Sequence, residues 1–233
     1  MAKILGIESS GRMASVAIIS EEEVLAEISM NTKLTHSETL LPMIDEVVKK
    51  SGCALEELDT IAIAEGPGSF TGLRIGASTA KGLGLALDIP LIAVSTLEGL
   101  AYNVWSADAN VVPLMDARRS QVYTAEYAFQ GGKLQTVVEP KAEDIQVVID
   151  RINAGAKPVI FVGDGASLFR EKLEAEVYVQ KNFAPAAMNR QRAAAVASRG
   201  LELFLEGKTV YSDDFVPVYL RKSQAERVRE EGK

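Results

Sequence analysis

The stretch GPGSFTG at residues 66–72 decides the fold class, because it joins a buried-looking strand at residues 60–64 to a helical segment at residues 73–87. Such a strand, loop and helix predict an α/β fold. The glycines either leave main-chain N–H groups free to cradle an anion at the helix N-terminus or permit the positive φ angles of a tight turn. The stretch is not a Walker loop, because Leu73 and Arg74 follow Gly72 where that loop has Lys and then Ser or Thr.

The loop lies within one of two successive units that share the same order of elements. Each unit opens with three short apolar runs, which predict an antiparallel meander, and continues with helices and a buried strand. The runs cover residues 3–8, 14–20 and 24–29, then 111–115, 121–129 and 133–138. Further helices are predicted at residues 35–50, 143–153 and 193–206, and a further strand at 159–162. This is the plan of the duplicated actin-like, ribonuclease-H-like fold, so we expect two lobes, residues 1–105 and 106–233, each a mixed sheet with helices.

Composition excludes several kinds of catalytic site. The 233 residues include one histidine, His36, and one cysteine, Cys53. A metal held by two histidines, a multi-cysteine zinc site and an internal disulfide are therefore impossible within one chain. The net charge of −7 repels nucleic acid phosphates.

Hydropathy patterning predicts a cytoplasmic protein. The first apolar run meets a charge at Glu8, so it is too short for the apolar region of a signal peptide. No later stretch approaches the length of a membrane span.

The glycine loop, residues 66–72, and the helix turn after it supply the first set of candidate site residues, for binding either a phosphate or a partner. They are Gly66, Gly68, Ser69, Thr71, Gly72 and Arg74. A cation at Arg74, in the first helical turn, opposes the helix dipole, so fold stability is a weak reason for it. Arg74 either completes an anion site, contacts a partner's carboxylate or is simply solvated.

The second set of candidates predicts an interchain interface between the first two long helices. The first helix offers an apolar stripe, and the second offers small residues at spacings of three or four, which permit close helix approach. The residues are His36, Leu40, Leu41 and Ile44 on the first helix and Gly76, Ala80 and Gly84 on the second. Packing of the small residues on their own sheet is the alternative.

Polar turns after two predicted strands leave a second function open. Glu8, followed by two serines, occupies the place where actin-like phosphotransferases carry a metal-associated acid, and Asp116 is in the matching turn of the second half. A small-molecule kinase or ATPase would need both acids and an adenosine-binding loop, for which residues 163–165 are the candidate. Ordinary polar turns explain the same residues.

The residues 66–76, GPGSFTGLRIG, closely resemble the signature of the TsaB (YeaZ) family. Shorter matches follow in the family's order over nearly the whole chain, at residues 36–38, 40–42, 89–91, 94–97, 116–118 and 217–221. One departure is Glu8, where members usually carry Asp.

This resemblance implies a role in making threonylcarbamoyladenosine at position 37 of tRNAs that read codons beginning with adenine. It implies a TsaD-like catalytic partner and a TsaE-like ATPase partner, with tRNA contacted only through the complex, and partner contact through the helices at residues 35–50 and 73–87. We expect a homodimer when the chain is alone, no metal and no cofactor; nucleotide binding by the chain itself stays open. The TsaD sibling resembles the same fold with a metal-binding His-x-x-x-His, and here Thr96 and Leu100 occupy those two places. The resemblance therefore implies a non-catalytic subunit.

Overall fold

The computed structural model describes residues 1–32, 34–105 and 107–221, which form two five-stranded sheets with helices. The first sheet contains β1 (Ile4–Glu8), β2 (Ala14–Ile19), β3 (Val24–Met30), β4 (Thr60–Gly66) and β5 (Leu91–Ser95). The second contains β6 (Asn110–Asp116), β7 (Gln121–Gln130), β8 (Lys133–Asp144), β9 (Val159–Val162) and β10 (Lys181–Phe183). The helices are α1 (His36–Ser51), α2 (Phe70–Leu87), α3 (Thr96–Tyr102), α4 (Ile145–Ala154), α5 (Asp164–Leu168), α6 (Arg170–Glu176) and α7 (Ala193–Leu205).

The two sheets have the same strand plan. The first has the order β3-β2-β1-β4-β5, and the second, read from the other edge, has β8-β7-β6-β9-β10. In each sheet the first three strands form an antiparallel meander, and the last two add in parallel beside the first strand. This duplication is the ribonuclease-H-like plan of actin-like proteins, so the predicted fold class is confirmed.

Helices cover both faces of the first sheet, which explains why β1 and β2 are buried at every position. Helices α1 and α2 pack on one face. Helix α7 packs on the other, where close approach depends on two glycines. A Cβ at Gly6 would overlap the Ala193 carbonyl oxygen, and a Cβ at Gly200 would overlap the side chain of Ala62.

The placement of α7 corrects the predicted lobe boundary. The sequence prediction places residues 106–233 in the second lobe, but α7 covers the first sheet and Phe215 lies in its core. Conversely, α3 precedes the boundary and packs Leu97 and Leu100 into the core of the second sheet. A cut near residue 105 separates the strands of the two sheets but not the helices, because each sheet needs apolar cover that the nearest stretch of sequence does not supply.

Local differences from the sequence expectations occur where segments are short. Helix α2 begins at Phe70, ahead of the predicted start, because Ser69 caps it by accepting a hydrogen bond from the Gly72 amide at 3.3 Å. The predicted loop at residues 163–165 is largely the first turn of α5. Helix α6 and β10 were not predicted, and β10 has only three residues.

Large apolar side chains at the surface are spread over both sheets. Leu41 on α1 is 57% exposed and Val147 on α4 is 50% exposed. None of the helices in the described ranges is long and apolar enough to cross a membrane. Isolated exposed apolar groups are ordinary, so only a contiguous patch indicates a binding surface.

Candidate functional site

The glycine loop packs against the turn that follows β1. The Ser69 amide donates a hydrogen bond to the Ser10 carbonyl oxygen at 2.6 Å, and Ser9 Oγ donates one to the Gly72 carbonyl oxygen at 2.9 Å. A Cβ at Gly68 would overlap the Ser10 main chain, and a Cβ at Gly72 would overlap the Ser9 carbonyl oxygen. These glycines therefore have a packing function, and the Ser69 amide already has a partner within the chain.

The segment near residue 218 closes the other side of the glycine loop. The Val218 amide donates to the Glu65 carbonyl oxygen at 2.7 Å. Gly66 has φ 122°, and a Cβ there would overlap the Val218 carbonyl oxygen. The Tyr219 ring lies against the Phe70 ring, with centroids 4.7 Å apart. The family resemblance at residues 217–221 does not predict this contact, because the segment is far from the glycine loop in sequence.

Arg74 is exposed at the surface, where it packs against Phe70. Its guanidinium carbon lies 4.0 Å from the centroid of the Phe70 ring, and its Nε donates to Tyr219 Oη at 3.4 Å. A cation over an aromatic face is held by the ring's quadrupole, so the side chain has a defined position although it is exposed. Thr71 is also exposed, one position after Phe70.

His36 fastens the start of α1 to the β1–β2 turn. Its Nε2 lies 2.9 Å from the Gly11 carbonyl oxygen, and the ring is half-buried beside Gly72. Glu38 stabilises the same helix end by accepting a hydrogen bond from the Thr35 amide at 2.8 Å, as the capping-box spacing predicts. The histidine is thus a positioning group between α1 and α2.

A groove of about 560 Å³ runs between α1 and α2. We call it the α1–α2 groove. Its accessible lining includes Ser37, Leu41, Phe70, Arg74, Ile75 and Ser78. It therefore combines an exposed leucine, an aromatic ring and a fixed cation on two helices whose other faces are packed on the first sheet.

Five of the predicted interface residues are buried within their own lobe. They are Leu40, Ile44, Gly76, Ala80 and Gly84. Ala80 is fully buried in the core of the first sheet. A Cβ at Gly76 would overlap Ser9 Oγ, and a Cβ at Gly84 would lie 2.5 Å from Ser212 Oγ. The prediction that this small row meets a partner is therefore corrected: the row permits α2 to approach its own lobe, and His36 and Leu41 remain as surface candidates.

The acids of the two matching turns have different environments. Glu8 is buried, and its Oε1 accepts a hydrogen bond from the Ser10 amide at 2.6 Å. Burial raises the pKa of Glu8 to about 7, with hydrogen bonds from Ser10 opposing the rise. Asp116 is exposed, and its Oδ1 accepts from the Arg118 amide at 2.7 Å. Within residues 1–32, 34–105 and 107–221, no group of three or more His, Cys, Asp or Glu is arranged to hold a metal.

Thr96 and Leu100, which stand where the resemblance places metal-binding histidines in the catalytic sibling, lie on α3. Both are fully buried. Leu100 belongs to the core of the second sheet and approaches Gly163. Neither side chain is a metal ligand of the kind that imidazole provides.

The fold and these contacts define a two-lobed actin-like α/β protein with a surface groove beside a tightly packed glycine loop. The family model described as "TsaD: tRNA N6-adenosine threonylcarbamoyltransferase" matches residues 23–228. Two similar proteins carry the name tRNA threonylcarbamoyladenosine biosynthesis protein TsaB. The Bacillus subtilis (strain 168) protein is 35% identical over 223 residues, and the Escherichia coli (strain K12) protein is 31% identical over 234 residues; each match covers 96% of both chains.

A solved structure gives the same result at the level of the fold. The structure described as YeaZ from Pseudomonas aeruginosa superposes with a TM-score of 0.82 at 27% identity, covering 94% of this chain and all of that one. The chain belongs to the TsaB (YeaZ) family.

Proposed function

We propose that this chain is a non-catalytic subunit in the biosynthesis of threonylcarbamoyladenosine, and that it binds a TsaD-like transferase through the α1–α2 groove. The pathway is inferred from the two relatives, both of which are named tRNA threonylcarbamoyladenosine biosynthesis proteins. The observation that carries the partner role is the groove itself, where Leu41, Phe70 and Arg74 are accessible on two rigidly packed helices.

The chemistry of the groove suits a protein partner. Aromatic residues and Arg are enriched at protein interfaces, where a few of them dominate the binding free energy. Phe70 and Arg74 already hold each other in place, so little side-chain entropy is lost when a partner covers them. Leu41 adds an apolar side chain, 57% exposed, whose burial favours association.

Two observations favour a supporting role over catalysis. The residues at the sibling's histidine positions, Thr96 and Leu100, are buried in the protein core. The acids Glu8 and Asp116 each accept a hydrogen bond from the main chain of their own turn, as structural turn residues do.

The resemblance to the family also suggests further partners. We propose that the isolated chain pairs with a second copy through the α1–α2 groove and exchanges that copy for the TsaD-like subunit. A TsaE-like ATPase and tRNA would join only the assembled complex, in the cytoplasm.

The test is association of the purified chain with the TsaD-like protein from the same cell, measured by calorimetry. Leu41→Asp places a charge in the groove, and we expect it to weaken association by about tenfold or more, because an unpaired charge is costly to bury. Val147→Asp is the matched control, since Val147 is 50% exposed on α4 in the second lobe. Equal affinity of Leu41→Asp and wild type would show that the groove is not the interface.

A further inference from the structure

A second cavity, of about 230 Å³, lies between the two lobes and is separate from the α1–α2 groove. We call it the interlobe cleft. Arg12 and Met13 of the β1–β2 turn lie on one side of it. Its polar lining also includes Asn31, which follows β3, and four residues from the end of β6, the start of α5 and the segment before α7: Asp116, Asp164, Arg190 and Gln191.

Three polar atoms of this lining have no hydrogen-bond partner within the described chain. They are Asp164 Oδ1, Arg190 Nη1 and Gln191 Nε2. Gln191 is 97% buried, being only 3% exposed. Nearly all buried polar groups in proteins are hydrogen-bonded, and leaving one unpaired costs free energy. The three atoms are themselves buried, but they belong to residues that line the cleft, so a turn of these side chains would present them to the polar groups of a ligand.

The segment that carries Arg190 and Gln191 is held firmly in place. Asn103 Nδ2 donates to the Arg190 carbonyl oxygen at 2.7 Å. Asn189 accepts a hydrogen bond from the Gly163 amide at 2.7 Å and donates one to Ser167 Oγ at 2.8 Å. The main chain that carries Arg190 and Gln191 is therefore preorganised, which reduces the entropy lost on binding.

The charges of the cleft select a ligand that carries both signs. The lining has two cations, Arg12 and Arg190, and two carboxylates, Asp116 and Asp164. Burial raises the pKa of Asp164, and the neighbouring Arg190 opposes the rise. A cationic group of a ligand next to Asp164 would favour its ionised form further. A purely anionic ligand would lie beside the two carboxylates as well as the two arginines, whereas a ligand with both charges can pair with each sign.

Size narrows the class of ligand. The volume of 230 Å³ is below the roughly 300–1,000 Å³ of clefts that hold drug-sized ligands. It corresponds to about eight water molecules at about 30 Å³ each. A small zwitterion fits this volume. Met13 and Leu168 add apolar lining that a short side chain would contact.

We propose that the interlobe cleft binds a free α-amino acid. The carboxylate of the amino acid pairs with Arg190 and with the side-chain amide nitrogen of Gln191. The ammonium group of the amino acid pairs with Asp164. The side chain lies toward Met13. This binding concerns the chain alone and does not depend on the partner role proposed above.

The experiment is isothermal titration of the isolated full-length chain with each of the twenty L-amino acids singly, and with ATP. We expect at least one amino acid to bind with one-to-one stoichiometry. For that amino acid, the matching amine without the carboxylate and the matching acid without the amine should each bind at least about tenfold more weakly, the effect of losing a charge-assisted pair.

Variants locate the binding in the cleft. Asp164→Asn and Arg190→Gln should each weaken binding about tenfold or more, whereas Asp108→Asn should leave it unchanged, because Asp108 is exposed and does not line the cleft. Circular dichroism and thermal melts confirm that each variant is folded. The proposal is overturned if no amino acid binds, if both cleft variants bind at wild-type affinity, or if ATP alone binds and Asp164→Asn abolishes that binding.

Discussion

Ser9 Oγ donates a hydrogen bond to the main-chain carbonyl of Gly72, joining the end of β1 to the first turn of α2 across 63 positions of sequence. The two main chains approach so closely that a side chain on Gly72 would overlap the Ser9 carbonyl oxygen. Phe70 and Arg74 stand on either side of Gly72 in the same helix. The contact therefore sets the position of one wall of the α1–α2 groove.

This close approach predicts a difference between two glycines of the same helix. Gly72→Ala should lower the free energy of unfolding by about 1–3 kcal/mol, because the added methyl forces β1 and α2 apart. Gly82→Ala should raise it by up to about 1 kcal/mol, because Gly82 has open space around its Cα and alanine favours the helix. Urea denaturation measures both. Equal effects of the two changes would contradict the packing function of Gly72.

The two sides of α2 should respond differently to a bulky side chain. Ala80 is fully buried and Ser78 is exposed in the α1–α2 groove. Ala80→Trp should destabilise the fold by about 3 kcal/mol or more. Ser78→Trp should leave the melting temperature nearly unchanged and block association with the TsaD-like subunit. If Ala80→Trp is instead stable and no longer binds the TsaD-like subunit, the row of small residues on α2 is the interface after all.

Glu8 should make stability depend on pH in an unusual direction. Burial raises its pKa from 4.5 to about 7, so between these values the folded state holds a proton that the unfolded state has released. Stability from this group is complete below pH 4.5 and is lost as pH rises through 7. Between pH 5 and 7 the loss is about 2 kcal/mol. Glu8→Gln should remove that difference, measured by urea denaturation at the two pH values; an unchanged pH dependence in the variant would exclude Glu8 as its source.

Binding of tRNA by the chain alone should be weak and salt-dependent. The net charge is −7, and no basic run interleaved with aromatic residues is visible in the sequence. Whatever binding occurs must come from local Lys and Arg contacts with phosphates, so it should disappear between about 50 and 200 mM salt. Filter binding at the two concentrations tests this. Tight, salt-resistant binding would reveal a nucleic-acid surface that the sequence does not indicate.

The sheets were predictable because each strand is a compact apolar run between turn residues. The meander at residues 3–29 follows from the alternation of apolar runs and polar turns, and its strands pair in the predicted antiparallel order. Such signals are local, so a single sequence carries them in full.

Which neighbour the small residues of α2 pack against could not be predicted in the same way. Small residues at spacings of three or four permit close approach to any neighbour, and the sequence does not say which neighbour is present. The structure shows that Ser9, Leu91 and Ser212 occupy that side of the helix. Contacts of this kind depend on residues far apart in the chain.

The interlobe cleft was unpredictable for the same reason. Its charged residues come from four separate segments, at Arg12, Asp116, Asp164 and Arg190. The sequence singles out Asp116 in a polar turn and residues 163–165 as a candidate loop, but it does not single out Arg12 or Arg190. Only the packing of the two lobes shows that opposite charges meet around one cavity.

The crossing of α7 to the first sheet affects the order in which the molecule assembles during synthesis. The strands of the first sheet are complete at Ser95, but α7, which covers one of its faces, begins at Ala193. At about 5–20 residues per second, the ribosome takes on the order of ten seconds to make the residues between them. Throughout that time the side chains of Ile4, Ala62 and Val94 lack their native cover. The sheet that is translated first is therefore the last to be enclosed, and the nascent chain exposes a surface on which chaperones or other chains can act.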